Sequence, residues 1–185
     1  MNNYVEGLCK FVDVAEYVNV EYVLIGAAAV GVHTIPRTTQ DIDFIAHIEK
    51  VKFYRFLEGL TEAGFAFDKE RVEKQYKEGY FIEISYRNIP IDILLTSIPI
   101  FYKAIKQAMS ISIFNKNIKV AKEEDLIILK LLSARQTDRA DIQQIKEYKV
   151  NLDLDYIEEN LVKLVGKGSS IFLEFCRIFK KDERA

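Results

Sequence analysis

Asp41 and Asp43 flank Ile42, and on an extended chain that spacing sends both carboxylates to one face while Ile42 and Phe44 point to the other. Their Cα atoms then stand about 6.7 Å apart. Carboxylates converging on that scale hold divalent ions spaced roughly 3.5 to 4 Å from each other. A third acid, Asp92, lies in Ile89-Pro90-Ile91-Asp92-Ile93-Leu94-Leu95, where Ile89, Ile91, Ile93 and Leu95 alternate onto one face and leave Asp92 on the opposite one. A carboxylate in so apolar a strand is costly to desolvate unless it meets a cation, a metal or several donors. If the two strands are neighbours, the three acids share a metal. A plainer reading is open for each: Asp41 capping a turn after Thr39, Asp43 facing water, Asp92 pairing with an Arg. Glu83, on the preceding strand candidate, is a lesser substitute for Asp92.

The surrounding segment, YVLIGAAAVGVHTIPRTTQDIDFIA, adds a site for an anion. A strand that ends in Gly26 lets the backbone approach a phosphate, and the helix that follows presents its unpaired N–H groups to the same group. Lys130 is embedded in Leu126, Ile127, Ile128, Leu129, Leu131 and Leu132, an apolar helix expected to be buried. Its ammonium needs an anion, or its stem must snorkel to water. Asp138 and Asp141 are one helical turn apart, which a cap followed by a first-turn acid explains if Thr137 or Asp138 begins the helix. Arg37 stands out from other exposed arginines by lying just before the Asp-x-Asp strand. His33 reads as structural, and no Ser nucleophile pattern supports a hydrolase triad. Gly166-Lys167-Gly168-Ser169 lacks the strand and upstream Gly of a P-loop, so it reads as one helix's C-cap and the next one's N-cap.

These residues need elements to hold them. Val5, Leu8, Val12 and Ala15 recur at helical spacing over residues 4–18, and Tyr22 to Ile25 reads as a buried strand. A short helix of small residues follows from Ala27 to Val32, closed by Pro36. Asp41 to Ala46 is the second strand, and Lys50 to Ala63 an amphipathic helix ended by Gly64. Tyr80 to Tyr86 and Ile89 to Leu95 form a tight hairpin about Arg87 and Asn88. Pro99 to Met109 is helical, and Ile111 to Phe114 with Ile118 to Val120 makes a smaller hairpin around Asn115, Lys116 and Asn117. Everything from Glu123 reads as helix, up to a frayed KKDERA tail. The expected fold class is α/β (α+β): a mixed twisted sheet with flanking helices over residues 1–121, then a helical region over 122–185 packed on it without a linker, with the site in the cleft between them.

With 185 residues, 49% hydrophobic and 29% charged, and only 8 Gly and 3 Pro, the chain is neither disordered nor low in complexity. Its formal charge of −2 gives no global attraction to nucleic acid or anionic membrane, so a polyanion must meet a local patch such as Arg135, Arg139, Lys103 and Lys106. Cys9 and Cys176 lack the spacing of a zinc site or disulfide framework. The start MNNYVEGLCK has no signal-peptide pattern, and the apolar runs are too short or interrupted to span a bilayer. A cytoplasmic protein without membrane contact is expected.

Strand, Gly turn, helix and Asp-x-Asp strand, in that order, resemble the signature of the nucleotidyltransferase superfamily of the polymerase-beta type. Gly26-Ala27, Ala29, His33, Arg37, Thr39, Asp41 and Asp43, followed by Glu124 to Lys130 and Asp138 to Ile142, resemble more narrowly the bacterial abortive-infection and toxin-type branch and its uncharacterised relatives. The resemblance spans Tyr22 to Ile145 and implies transfer of a nucleoside monophosphate from an NTP to a hydroxyl, with pyrophosphate released. It implies Mg2+, or Mn2+, held by Asp41 and Asp43, with Asp92 holding the metal at the attacking oxygen and helping its deprotonation. It also implies nucleotide contacts from Gly26, Ala27, Arg37, Thr39, Lys130 and Asp141. An RNA end such as tRNA, or a protein side chain, is the implied acceptor, and a toxin or phage-defence role with a cognate antitoxin is the implied setting. Ala27 departs from the pattern, standing where Ser or a second Gly is usual. The alternative from another class is a catalytically weak member acting as a binding or toxin–antitoxin interaction module.

Overall fold

The computed structural model describes residues 2–180, so the last five residues of the tail expected to fray lie outside it. Helix α1 (Asn3–Val18) is capped by the Asn2 side chain, which accepts from the Tyr4 amide, and ends at Asn19 in the left-handed region. Then come β1 (Glu21–Ile25), α2 (Gly26–His33), β2 (Ile42–His47), α3 (Lys50–Glu62) and α4 (Lys69–Glu78). The hairpin strands β3 (Phe81–Tyr86) and β4 (Ile89–Leu95), helix α5 (Pro99–Gln107) and strands β5 (Met109–Ile113) and β6 (Lys116–Val120) complete the first part. Helices α6 (Glu123–Ser133), α7 (Gln136–Tyr148), α8 (Leu154–Val165) and α9 (Ser170–Phe179) follow.

The six strands form one mixed sheet in the order β3-β4-β2-β1-β6-β5. β2 is antiparallel to β1 and parallel to β4, and β1 is parallel to β6. Alternation divides the faces. Leu24, Phe44 and Ile93 share one row across β1, β2 and β4, and all three are buried. On that side Phe11 of α1 stacks on Phe44 at 3.9 Å between ring centroids, and Phe56 of α3 meets Phe11 edge-on at 5.9 Å. Each such ring removes enough apolar surface to contribute about 2 to 3 kcal/mol. The opposite face carries the row Ile25, Asp43, Asp92 and Glu83.

Arg87 and Asn88 both have positive φ, 43° and 67°, which is the two-residue turn that matches strand twist. Helix α4 was not anticipated: its buried residues are only Val72 and Gln75, too few to set up a periodic apolar signal. Two other boundaries move. The smaller hairpin turns at Phe114 and Asn115 (φ 51° and 61°), not around Asn115 to Asn117, and α5 stops at Gln107 because Met109 already belongs to β5.

The chain divides into two compact units. The sheet unit takes the chain through Ala29 and again from Arg37 to Ala121, and the helical unit takes Val30–Pro36 and the chain from Lys122 onward. Inside the helical unit His33 Nδ1 lies 3.1 Å from a Glu123 carboxylate oxygen, and Gln144 donates to the Ile35 carbonyl at 2.9 Å. The His33 contact bears out the structural reading of that ring. Ser169 caps α9 through the Phe172 amide and Gly166 (φ 77°) closes α8, as the Gly-Lys-Gly-Ser segment suggested. Among the described residues no helix is long and apolar enough to cross a membrane.

Candidate active site

Parallel pairing of β2 and β4 places Asp43 directly beside Asp92. Neighbouring strands lie about 4.8 Å apart and partnered residues share a face, so the two carboxylates leave the sheet side by side. Asp41 immediately precedes β2 and is two residues from Asp43, and both carboxylates are near enough to act on the Tyr4 hydroxyl. All three acids are half-buried, unlike the fully buried Ile42 and Phe44 between and beside them. The apolar partners therefore anchor the strand while the acids stay accessible.

Gly26 lies where β1 meets α2, at φ +68°. A Cβ there would stand 1.9 Å from Asp43 Oδ2 and 2.9 Å from Asp43 Cβ. Only glycine allows this approach, since any side chain would both strain the backbone and displace the carboxylate. The consequence is that the Asp43 carboxylate sits at the head of α2, where first-turn N–H groups and the helix dipole favour an anion. Ala27, the next residue, is 8% exposed.

Asp41 is oriented from two directions. Thr39 Oγ1 donates to Asp41 Oδ1 at 2.6 Å and approaches the Asp41 carbonyl oxygen at 3.3 Å. Tyr4, from the first turn of α1, donates its hydroxyl to the same carbonyl at 3.1 Å. Burial, joined by the charges of Asp43 and Asp41, holds the Tyr4 hydroxyl well above the usual phenol range, so it stays a donor. Tyr4 escaped the sequence reading because it lies 37 residues from Asp41 and looks like one more residue on an amphipathic helix. A cavity of about 590 Å³ adjoins it, lined among others by Arg37, Thr39, Gln40 and Asn88.

Glu83 is in register with Asp92 and on the same face. Helix α4 engages it: Arg71 forms an ion pair with its carboxylate and Gln75 donates to it at 2.9 Å. The geometry makes Glu83 part of the α4–β3 contact.

Lys130 and Asp141 lie together in the helical unit. Lys130 Nζ is 2.6 Å from Asp141 Oδ2 and 3.0 Å from Asp138 Oδ1, with all three side chains at most 6% exposed. Ser133 and Arg135 also donate to Asp138, including the Arg135 backbone N–H at 3.2 Å. Burial raises the Asp138 pKa, but the hydrogen bonds from Ser133, Arg135 and Lys130 outweigh it and hold the carboxyl at about 2. Helix α7 starts at Gln136 with Arg135 as N-cap, so Asp138 occupies the third helical position and receives the cap's own amide instead of being the cap. Three of the four basic residues expected to form a patch have carboxylate neighbours of their own: Lys106 with Glu21, Arg139 with Glu174 and Arg135 with Asp138.

A divalent ion fits the sheet-unit acids by donor chemistry. Among the described residues no group of three or more His, Cys, Asp or Glu is gathered so that it could hold a metal ion by itself. Mg2+ is ordinarily held by one or two carboxylates together with substrate phosphates, and Asp41, Asp43 and Asp92 beside a glycine at a helix N-terminus offer that combination.

The sequence profile of the family described as "Nucleotidyltransferase of unknown function (DUF6036)" matches residues 11–164. Among solved structures, the lincosamide antibiotic adenylyltransferase LnuA with bound lincomycin superposes with a TM-score of 0.54 at 18% identity, covering 77% of this chain and 96% of that one. The antibiotic-resistance factor ANT(2'')-Ia does so with a TM-score of 0.56 at 11% identity, covering 97% and 95%. JHP933 from Helicobacter pylori gives 0.51 at 17% identity, covering 96% and 80%. At such identities the likeness shows a shared fold. No curated protein matches significantly.

Proposed function

Because the chain belongs to that nucleotidyltransferase family, we propose that Asp41, Asp43 and Asp92 are its catalytic acids, and that it moves a nucleoside monophosphate from an NTP to a hydroxyl with Mg2+ or Mn2+. The observation that carries this reading is the register of Asp43 on Asp92 with Gly26 packed against the Asp43 carboxylate. A bound divalent ion supplies Lewis acidity toward the triphosphate and acidifies the attacking hydroxyl.

The chain's own residues do the rest. Asp41, Asp43 and Asp92 would hold the ion, with Thr39 and Tyr4 fixing the Asp41 side chain and carbonyl. Gly26 and Ala27 admit the triphosphate to the N-terminus of α2, and Arg37 pairs with its phosphates. Asp92 accepts the acceptor's proton as its oxygen bonds the α-phosphorus and the bond to the bridging oxygen breaks, releasing pyrophosphate. Lys130 and Asp141 enter this reading as members of the buried pair that braces α6 on α7. An RNA end or a protein hydroxyl is the acceptor, and a toxin or phage-defence setting in the cytoplasm, with a cognate antitoxin, goes with it.

The test is incubation with each NTP labelled at the α-phosphate, plus cellular RNA and protein. Label should move to one fraction only when Mg2+ is present, and Asp41→Asn and Asp43→Asn should abolish it. Undiminished transfer by both variants contradicts the proposal. Ala27, which supplies no hydroxyl near the triphosphate, favours a second reading: a weakly catalytic binding or toxin–antitoxin module. Calorimetric titration separates the two, since the module binds no Mg·NTP.

A further inference from the structure

The strands that carry Asp43 near the start of β2 and Asp92 in the middle of β4 meet a second concavity at their far ends. His47 closes β2, and Leu95 and Thr96 end β4, about 13 Å along the strands from the acids. A cavity of about 540 Å³ opens there, within the size range that holds small organic ligands. Its floor is apolar, from the buried Ala46 and Leu95. One wall is a stacked pair, Phe53 on Tyr76, with centroids 3.8 Å apart and planes 15° from parallel. Tyr54 adds a ring edge-on to Phe53 at 5.3 Å and is 54% exposed. The His47 ring is fixed by a 2.8 Å hydrogen bond to Thr96 Oγ1.

The charge at the rim is of one predominant sign. Lys50 and Lys77 are both exposed lining residues, and neither forms an ion pair among the described residues. Glu73 is the single carboxylate in the lining. Flat aromatic walls attract a planar π-system by stacking, and a surplus ammonium at the mouth selects a negative substituent. None of the residues given a role in the proposed transfer lies in this lining.

We propose that this cavity is a second ligand site, for a small planar aromatic anion, separate from the acid row. The occupant inserts its ring beside Tyr54 and Tyr76 and turns its anionic group to Lys50 and Lys77.

The test uses anilinonaphthalene sulfonate as probe on the full chain, followed by its fluorescence and by amide chemical shifts. One saturable site is expected, undisturbed by excess Mg·ATP, with shifts confined to the neighbourhoods of His47, Tyr54, Lys77 and Thr96. Lys77→Glu and Lys50→Glu should each weaken binding about fivefold, and Tyr54→Ala about tenfold. These side chains are exposed, so the variants keep the fold. Phenylnaphthylamine, which lacks the sulfonate, should bind more weakly than the probe. The proposal is overturned if no saturable site exists, if Mg·ATP displaces the probe, if the shifts fall elsewhere, or if both lysine reversals leave affinity unchanged.

Discussion

Two sets of aspartates in this protein have nearly the same local spacing and opposite surroundings. Asp138 and Asp141 are 2% exposed and clasp the ammonium of Lys130, which is 6% exposed. Asp41, Asp43 and Asp92 are half-buried, Asp43 in register with Asp92 in the middle of β4 and Asp41 just before β2, with a glycine and a helix N-terminus beside Asp43. A buried carboxylate with a permanent lysine partner has its charge balanced by the fold, and taking one partner away leaves the other uncompensated. Carboxylates at an accessible strand end beside an anion-favouring helix can take a hydrated ion and its phosphates and release them again. Depth and neighbours, more than residue type, separate the lysine-paired acids from the accessible ones.

The contrast is broken most directly by Asp43→Asn. Transfer should fall about a thousandfold or more, about 4 kcal/mol in barrier height, while the thermal midpoint stays within about 2 °C of the parent. Activity assays and melting curves on the same sample decide it. In the helical unit the effects should be reversed. Lys130→Met leaves Asp138 and Asp141 buried without their ammonium and should cost about 3 to 5 kcal/mol of stability, read by denaturant unfolding.

Gly26→Ala sharpens the comparison from the backbone side. The added methyl would lie 1.9 Å from Asp43 Oδ2, so the carboxylate must swing away. Transfer should drop about a hundredfold, with a stability loss of about 1 to 2 kcal/mol from the positive φ. Kinetics at varied Mg·NTP would report the loss.

Acid should weaken the helical unit through two of its carboxylates. The His33 hydrogen bond, aided by Lys149 and opposed by burial, brings the Glu123 pKa down to about 2, and Asp138 sits at about 2 for the reasons given above. Both groups bind protons less readily folded than unfolded, where the ordinary values are 4.5 and 3.8. Their contribution is therefore complete above the unfolded pKa and is lost as pH falls through the folded one. Melting temperature should fall between about pH 4.5 and pH 2, and His33→Ala should make that fall smaller, because the folded Glu123 carboxyl moves back toward its ordinary value.

Much of this was legible in the chain. Alternation around Asp92 and the spacing of Asp41 and Asp43 fixed the faces of those residues, because a strand has one period and the apolar residues mark it. The two-residue break at Arg87 and Asn88 located the hairpin for the same reason. What escaped was non-local or weakly patterned. Helix α4 buries little more than Val72 and Gln75, and the turn at Phe114 uses a residue that rarely adopts positive φ. That β2 lies between β1 and β4 is a matter of pairing, which periodicity does not encode. The contact of Gly26 with Asp43 and the reach of Tyr4 to Asp41 follow only from that pairing and the packing of α1. The Lys130 clasp is a partial case. The buried ammonium announced a need for an anion, and the structure supplies two from α7.

The account depends most on Asp43 and Asp92 acting together on one ion. Binding of Mn2+ in the presence of NTP, followed by electron paramagnetic resonance on the parent, Asp43→Asn, Asp92→Asn and the double variant, tests this. Each single change should weaken Mn2+ binding by about tenfold or more, and the double variant should lose less than the sum, as residues sharing one ligand do. Mn2+ and NTP binding that is unaltered in all three variants would contradict it.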